Sequence, residues 1–502
     1  MWRFLFHDKN RAYADIRVEG HRETWPVKSK RFRQWFKRLY YVAHSKAPNA
    51  EAVQKAVDHV EAAALFDGEE RHVDLRVAGH AGRIYIDLGS PDWRAIEIDE
   101  DGWRVIDDPP VRFRRLDGMR ALPEPTHGGD ISKLRSFINV KDEADFVLLV
   151  CCLLAAMRDR GPYPVLAISG EQGTAKSTLV AILRALIDPN ASPPRALPRE
   201  DRELFIQATN GWLLAFDNVS GLPAWTSDSL CRLSTGGGFA VRQLHKDQDE
   251  ILFDACRPIV LNGIGDMIGR ADLADRAIFI TLEPISDAER RTEDELWTDI
   301  RRELPGILGV LCDALSHGLH YRDLVKLERL PRMPDFAKWA VACEGAFWPA
   351  GTFMDAYDDN QHGANDAALD ADDVALAVKD FMLSRRRWED TPAKFKEELE
   401  THRFGEDKQR PKGWPASVNA MSVRLRRAAT SLRRAGIEVE FSRGGKRRTR
   451  KITIRAVPRE DEHSDNAANS SSASPCEGEK HNHGNNFQAD NDFARPSSAL
   501  TH

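Results

Sequence analysis

One short tract limits the architectures open to this chain more than any other. It is Gly170-Glu171-Gln172-Gly173-Thr174-Ala175-Lys176-Ser177-Thr178, set between Val165-Leu-Ala-Ile168 and Leu179-Val-Ala-Ile-Leu-Arg-Ala-Leu-Ile187. The first flank reads as a short buried strand and the second as a helix. A strand, a glycine turn and a helix that begins Lys-Ser make a cradle for nucleotide phosphates. Backbone N–H groups at the helix start point at the anion. Lys176 is expected to reach the β/γ oxygens, and the Ser177 hydroxyl to ligate Mg²⁺. Gly170 to Thr178 is thus expected to hold ATP with Mg²⁺. Ala175 stands where the pattern has its second glycine. Its methyl group is tolerated if φ is negative and strained if φ is positive.

Two further apolar strands end in polar residues. Gly211-Trp-Leu-Leu-Ala-Phe-Asp217-Asn218 closes on a carboxylate that can hold Mg²⁺ through water. Read blandly, Asp217 is a strand-end aspartate in a turn. Motor ATPases have a second acid next, to orient the attacking water; here it is Asn218, an amide that positions water but takes no proton. Cys256-Arg-Pro-Ile-Val-Leu-Asn262-Gly263 ends in an amide that can reach a γ-phosphate, though Asn-Gly is also good turn chemistry. Arg276 precedes the strand Ala277-Ile-Phe-Ile-Thr281. It is the first candidate, and Arg270 the second, for an arginine that reaches a neighbouring subunit's nucleotide; a surface salt bridge serves equally for either. Between the two strands, Phe239–Leu244 and Ile251–Phe253 are expected to pair. Arg242 would lie on that hairpin, with His245 and Lys246 near its tip, where a basic tip grips single-strand phosphates. A solvated hairpin of mixed charge is the alternative, since Asp247, Asp249 and Glu250 follow.

The chain has 502 residues, 42% apolar and 30% charged, with net charge −6. That suits a soluble globular protein of several domains. Seven cysteines without C-x-x-C spacing argue against zinc or a disulfide framework, and for a reducing compartment. Cys151-Cys152 reads as core. The longest apolar run, Phe146 to Met157, is too short to span a bilayer, and the N-terminus has no signal-like core. A cytoplasmic protein without membrane contact is expected.

Five segments are expected: an α+β region over 1–125, an ATPase core over 126–285, a helical region over 286–370, an α/β unit over 371–456 and a disordered tail over 457–502. In the first, helices are expected over Arg31–Val42, with an aromatic stripe taken as core, and over Ala50–Leu65. Strands are expected over His72–Val77, Arg83–Leu88, Ala95–Ile98 and Trp103–Ile106. Leu122–Gly129 reads as a linker. Residues 131–285 alternate helices and strands as a parallel sheet does. Ser286 and Glu289 form an expected capping box. In the last unit, helices are expected over Asp372–Arg386, Pro392–His402 and Ser417–Ala435, then a hairpin of Ile437–Phe441 and Arg450–Arg455. The tail is rich in Ser, Asn, Asp and His.

The order Gly170–Thr178, Phe216-Asp217-Asn218, Gly236–Lys246, Ile259–Asn262, Arg276 resembles superfamily 3 helicase domains of phage and plasmid primase-helicase-type replication proteins. The resemblance covers residues 130–330. It implies a P-loop NTPase core of AAA+-like α/β fold, homo-hexameric rings on DNA, and single-stranded DNA in the ring channel. Ala175 and Asn218 depart from the family pattern and bear on hydrolysis rather than on binding. Family primase modules carry paired metal-binding acids. Here Tyr85-Ile-Asp87-Leu-Gly89 has one, and Glu97, Asp99 and Asp101 run into an Asp-Gly turn, so no primase activity is expected and a primase would be separate or lost.

Residues 424–451 hold eleven Lys/Arg and two Glu. Arg424, Arg426, Arg427, Arg433 and Arg434 fall on one helix. Arg443, Lys446, Arg447, Arg448, Arg450 and Lys451 fall on the hairpin loop that follows. A helix followed by a basic hairpin is the layout of a winged helix, here expected to bind duplex DNA; a protein-docking unit is the alternative. The basic helix Lys28–Arg38 is a weaker DNA candidate. Two functions compete: an ATP-driven DNA translocase or helicase of a mobile element, and an ATP-gated replication initiator or regulator that unwinds nothing. A metabolic phosphotransferase is disfavoured by the basic C-terminal unit.

Overall fold

Alternating apolar and polar side chains build the first sheet. β1 (Leu5–Asp8), β2 (Arg11–Val18) and β3 (His21–Pro26) form an antiparallel meander. After α1 (Lys30–His44) and α2 (Ala50–Phe66), the short β4 (Glu69–Glu70) adds to β1 in parallel. The computed structural model describes residues 4–457, apart from 238, 243–249, 254, 266, 371, 406–409, 412 and 445–448. The tail beyond Val457 lies outside the described residues. Both helices are capped from their own sequence: Ser29 accepts from the Phe32 N–H, and Asn49 from that of Ala52. The aromatic stripe of α1 is core as expected over Phe32 and Trp35, with Phe36 half-buried, but not at Leu39. Phe32 is buried and Trp35 packs against Trp25 and Phe32, but Leu39 to Val42 are exposed. The first half of α1 lies on the sheet and the second half runs past it.

The next sheet, β5 (Val77–His80), β6 (Arg83–Asp87), β7 (Ala95–Asp99) and β8 (Gly102–Ile106), is antiparallel in sequence order. Its first strand starts at Val77, where the expected His72–Val77 strand ends, because Asp74 bridges Phe113 and Arg76 turns inward. Val77, Ile84, Ile86, Ile96 and Ile98 share one apolar core with residues of the segment that follows. Residues 1–125 are therefore two sheets, the second joined to the core. The expected linker Leu122–Gly129 is a packed strap: Leu122 is buried, the Thr126 N–H donates to the Pro305 carbonyl, and a Cβ on Gly309 would collide with the Thr126 carbonyl.

The central segment runs α3 (Ser132–Arg135), α4 (Glu143–Ala156), β9 (Val165–Gly170), α5 (Lys176–Ile187), α6 (Asp201–Thr209), β10 (Leu214–Val219), α7 (Ala224–Thr235), β11 (Phe239–Arg242), β12 (Glu250–Phe253), β13 (Ile259–Gly263), α8 (Ala271–Ala274) and β14 (Ala277–Leu282). Four strands make an all-parallel sheet in the order β10-β13-β9-β14. Leu166, Ile168, Val260, Ile278 and Ile280 face α4 and α5; Val165, Ala167, Leu214, Phe216, Ile259 and Leu261 face α6 and α7. Both faces are covered, as a parallel sheet requires. Side chains close the β14 edge: Asn360 accepts from the Phe279 N–H and donates to its carbonyl, and Gln361 donates to the Ala277 carbonyl.

α9 (Glu293–Tyr321), α10 (Pro334–Glu344) and α11 (Thr352–Asp370) follow. Ser286 does bond Glu289, but the helix starts later, at a capping box of Thr292 and Glu295 that directly precedes the buried spacing Ile300, Leu304, Ile307. The last unit comprises α12 (Asp373–Met382), β15 (Arg387–Asp390), α13 (Pro392–Phe404), α14 (Val418–Arg434), β16 (Ile437–Gly444) and β17 (Thr449–Ala456), with an antiparallel sheet β15-β17-β16. The expected Asp372–Arg386 helix stops at Met382, and the unforeseen strand β15 pairs with β17 through a segment whose one apolar residue is the buried Trp388. No helix among the described residues is long and apolar enough to cross a membrane.

One buried ion pair binds these layers. Arg76 is fully buried. Its Nε lies 3.1 Å from Asp188 Oδ1, and it also donates to the Asp87 and Arg120 carbonyls. The other Asp188 oxygen accepts from the N–H groups of Trp212 and Leu213. Arg76→Ala strands that carboxylate without its cation and is expected to cost about 3–5 kcal/mol. Adding Asp188→Asn removes the uncompensated charge, so the double variant should cost less than the sum of the singles. Urea denaturation of the four proteins measures both terms.

Candidate functional site

The four parallel strands have a switch point. From β9 the chain passes through α5 on one face toward β10; from β13 it passes through α8 on the other face to β14. The crevice beyond the carboxyl ends of β9 and β13 is where open α/β sheets bind ligands, and the Gly170–Thr178 turn opens there. Gly170 takes φ 151°, beside the Leu282 carbonyl and Thr174, and Gly173 takes φ 87°. Thr174 is buried and donates to the Glu171 carbonyl, while Glu171, Gln172 and Ser177 are exposed. Ala175 has φ 62°, so the strained alternative holds. α5 begins at Lys176. The lysine ammonium is folded over its own turn, 2.9 Å from the Gly170 carbonyl and 2.6 Å from that of Glu171.

Asp217 and Asn262 come from neighbouring strands. β13 lies between β10 and β9 and pairs with both, setting Phe216 against Leu261 and Asn262 against Ile168. Asn262 Nδ2 donates to Asp217 Oδ1 at 2.6 Å, and that oxygen also accepts from the Asn218 N–H. Asn262 is 2% exposed and its Oδ1 has no partner among the described residues. A buried amide oxygen without a donor is a strong acceptor for a bound group or a water. A bulge after Phe216 puts Asn218 at φ 56° with its side chain exposed; asparagine tolerates that conformation better than most residues. The structure therefore brings together the turn, Asp217 and Asn262. Nothing in the sequence announced the bond between the last two, since register alone creates it.

Arg276 lies elsewhere. It precedes β14 at the amino end of the sheet, with its carbonyl bonded to the Val165 N–H. One strand length, roughly 17–20 Å, separates it from the turn of its own chain. Its guanidinium pairs with Asp272, four residues earlier. Burial opposes ionisation of Asp272, but the hydrogen bond and charge of Arg276, helped by Cys231 and Arg332, hold its carboxyl below the usual range. The two line a cavity of about 440 Å³ together with Trp225, Cys231 and Arg232. Burial pushes the Cys231 thiol up to about 12. Arg270 pairs with Asp228 at 2.9 Å.

The expected hairpin forms, with Phe239 opposite Phe253 and Arg242 opposite Glu250. His245 and Lys246 lie outside the described residues, as do Lys446, Arg447 and Arg448. Arg443 and Arg450 face each other directly across β16 and β17, both exposed. Like charges so placed repel, which an anion between them would relieve. The arginines of α14 are largely engaged within the molecule: Arg424 with Asp372, Arg434 with Asp275 at 2.6 Å, and Arg426 over the Phe441 ring. Arg427 lines a cleft of about 1030 Å³ between α14, α11 and the β14 edge. Asp145, on the same cleft, has its carboxyl pushed up to about 6 by burial and the nearby Asp142 charge. The sequence spacing showed none of these pairs, of which Arg434 with Asp275 joins the unit to the core.

Residues 131–359 match a family model described as an actinomycete integrative conjugative element replication protein, and residues 374–472 match the AICE RepA C-terminal domain. Two consecutive segments of the chain thus match a replication protein of a mobile element. A solved structure titled "SCCmec type IV Cch - active helicase" is 12% identical, with TM-score 0.44 over 90% of this chain and 92% of that one. Another, titled "The A form apo structure of NrS-1 C terminal region-CTR", is 11% identical, with TM-score 0.39 over 90% and 96%. No curated protein matches the chain.

The left-handed Ala175 gives a direct test of the turn. Non-glycine residues there cost about 1–2 kcal/mol, and glycine returns about 0.4–1 kcal/mol of that through the greater freedom of the unfolded chain. Ala175→Gly is expected to raise stability by about 0.5–1 kcal/mol, read from urea denaturation. A destabilised variant would mean that the methyl group has packing value in the turn.

Proposed function

We propose that this chain is an ATP-dependent DNA helicase or translocase of the superfamily 3 type, acting in replication of a mobile element, with a P-loop NTPase core of AAA+-like plan. The observation that carries the reading is the bonded pair Asp217 and Asn262 on β10 and β13, at the carboxyl end of the parallel sheet where β9, next to β13, leads into the Gly170–Thr178 turn. In this reading the core comprises the β5–β8 sheet and residues 126–285, the 286–370 helices support it, and residues 371–456 form a winged-helix-like unit whose order α12-β15-α13-α14-β16-β17 suits that plan.

The residues present fit ATP and Mg²⁺. Gly170 to Thr178 offer backbone N–H groups at a helix start, Ser177 and Asp217 would hold the metal, and bound Mg²⁺ would neutralise charge on the phosphate oxygens. Lys176 now spends its ammonium on carbonyls of its own turn and leaves them for the β/γ oxygens. Asn262 fixes the Asp217 carboxylate through one amide atom, while the other stays buried and unpaired among the described residues. Asn218 orients the attacking water. Arg276, at the opposite rim, serves the nucleotide of a neighbour, which requires a closed ring, taken as a homo-hexamer. Arg242, His245 and Lys246 meet single-stranded DNA in the ring channel. Arg443, Lys446, Arg447, Arg448 and Arg450 meet duplex phosphates. Priming is left to a separate enzyme, and the protein works in the cytoplasm. Asn218 favours a second reading, an ATP-gated replication initiator that binds DNA without unwinding it. Displacement of a labelled strand from a forked duplex supports the first reading; ATP-dependent DNA binding with no displacement supports the second.

Lys176→Ala is expected to abolish DNA-stimulated ATP turnover. Arg276→Ala is expected to keep ATP binding and lose turnover by ~10³-fold. Mixed in one assembly, the two variants should regain part of the activity, because each supplies the group the other lacks. No rescue in mixtures shown to co-assemble would place Arg276 outside the site.

Asn218→Asp keeps a residue suited to positive φ and restores a carboxylate. If hydrolysis lacks a base, turnover should rise by roughly 10²-fold, measured by phosphate release. Unchanged or lower turnover means that Asn218 is already the working group.

A further inference from the structure

The exposed half of α1 is a surface that neither the fold nor the ATP site explains. Between Thr24 and Ala50 the chain has seven Lys/Arg and no Asp or Glu. At 100° per residue, Phe32, Trp35 and Phe36 face the first sheet. Lys30, Lys37, Tyr41 and His44 form the opposite stripe, flanked by Arg38 on one side and Tyr40 on the other. Tyr41 is 60% exposed, and the Tyr40 and His44 rings meet tilted, centroids 4.5 Å apart. Arg31 and Lys28 pair with Glu23 and Glu61; Lys30, Lys37, Arg38 and Lys46 have no ion pair among the described residues.

We propose that this face of α1 docks single-stranded nucleic acid, with Lys30, Lys37 and Arg38 on phosphates and Tyr40 and Tyr41 against bases. The inference stands apart from the ATP-driven reading and does not need it. Charge complementarity selects the occupant: an unneutralised basic stripe suits a polyanion. The mixing of cations and aromatic rings on one face separates this surface from a membrane helix, which puts its apolar and basic residues on opposite faces. Here Phe32 and Trp35 turn the first part of the apolar stripe to the protein, and Leu39 and Val42 carry it past the sheet. Rings presented to solvent next to cations are the arrangement that stacks unpaired bases, whereas duplex bases are stacked on one another already.

The test uses the full chain and a fluorescent oligo(dT), titrated over a salt series. Lys30→Ala, Lys37→Ala and Arg38→Ala combined should reduce the slope of log K against log salt by ~2, at roughly 0.7 per lost phosphate. Tyr40→Ala with Tyr41→Ala should weaken binding about tenfold while leaving the slope nearly unchanged. Ultraviolet cross-linking followed by peptide mapping should place the oligonucleotide on α1, even where other sites dominate the total affinity. All these side chains are exposed or lie on the solvent face, so circular dichroism should show intact folding. The proposal is overturned if slope, affinity and cross-link map are all unchanged in the variants. It is equally overturned if the variants lose self-association, or retention on anionic vesicles, while keeping the α1 cross-link to DNA absent as in the wild type.

Discussion

The guanidinium of Arg76, wholly buried against Asp188, is the contact on which the other parts of this molecule are arranged. It gathers the end of β6, the strap at Arg120, the last turn of α5 and the entry to β10. The first residues of α5 and the last of β10 are those that form the candidate nucleotide site. A charge pair in the interior contributes little net stability, but it penalises every arrangement in which either partner is stranded. Here that fixes the helix that bears Lys176 and the strand that bears Asp217 relative to one another, from the ends remote from the site.

The site itself shows conformations that few side chains accept. Ala175 and Asn218 both have positive φ, at the turn and near the end of β10. Strain of this kind persists only where surrounding packing enforces it. The packing is visible: Leu179, Val180, Ile182 and Leu183 seat α5 in the core, and Phe216 and Val219 bracket the bulge. Asp217 and Asn262 are then left at hydrogen-bond distance, with one buried acceptor unused among the described residues. In the proposed mechanism, that acceptor and the folded-back Lys176 are the two groups with capacity to change partner.

The C-terminal unit is tied to the core through Arg434, one of the arginines that make it basic. Arg434 holds Asp275, the residue next to Arg276, across to the core, and Arg424 holds Asp372 at the start of α12 within the unit. Part of the α14 charge therefore goes to domain contacts. Arg443 and Arg450, opposed across β16 and β17, keep their charge toward solvent. A count of basic residues along the chain treats these two groups alike; their partners separate them.

Local signals determined a good deal by themselves. The strand, turn and helix around Lys176, the strands bearing Asp217 and Asn262, the hairpin of Phe239–Arg242 with Glu250–Phe253 and the basic helix of the last unit are all readable, because each rests on periodicity or turn chemistry within a few residues. Tertiary structure decided the rest. The β5–β8 sheet joins the core because its apolar face needs α9, more than two hundred residues away. Val77 opens β5 because Arg76 must reach Asp188. The second half of α1 stays exposed because helical spacing says which residues share a face and nothing about how far the sheet beneath extends. β15 escapes the sequence because a four-residue edge strand with one apolar side chain has no periodicity to show. Arg276 sits far from its own phosphate turn because strand direction in a parallel sheet, not distance along the chain, sets which ends meet.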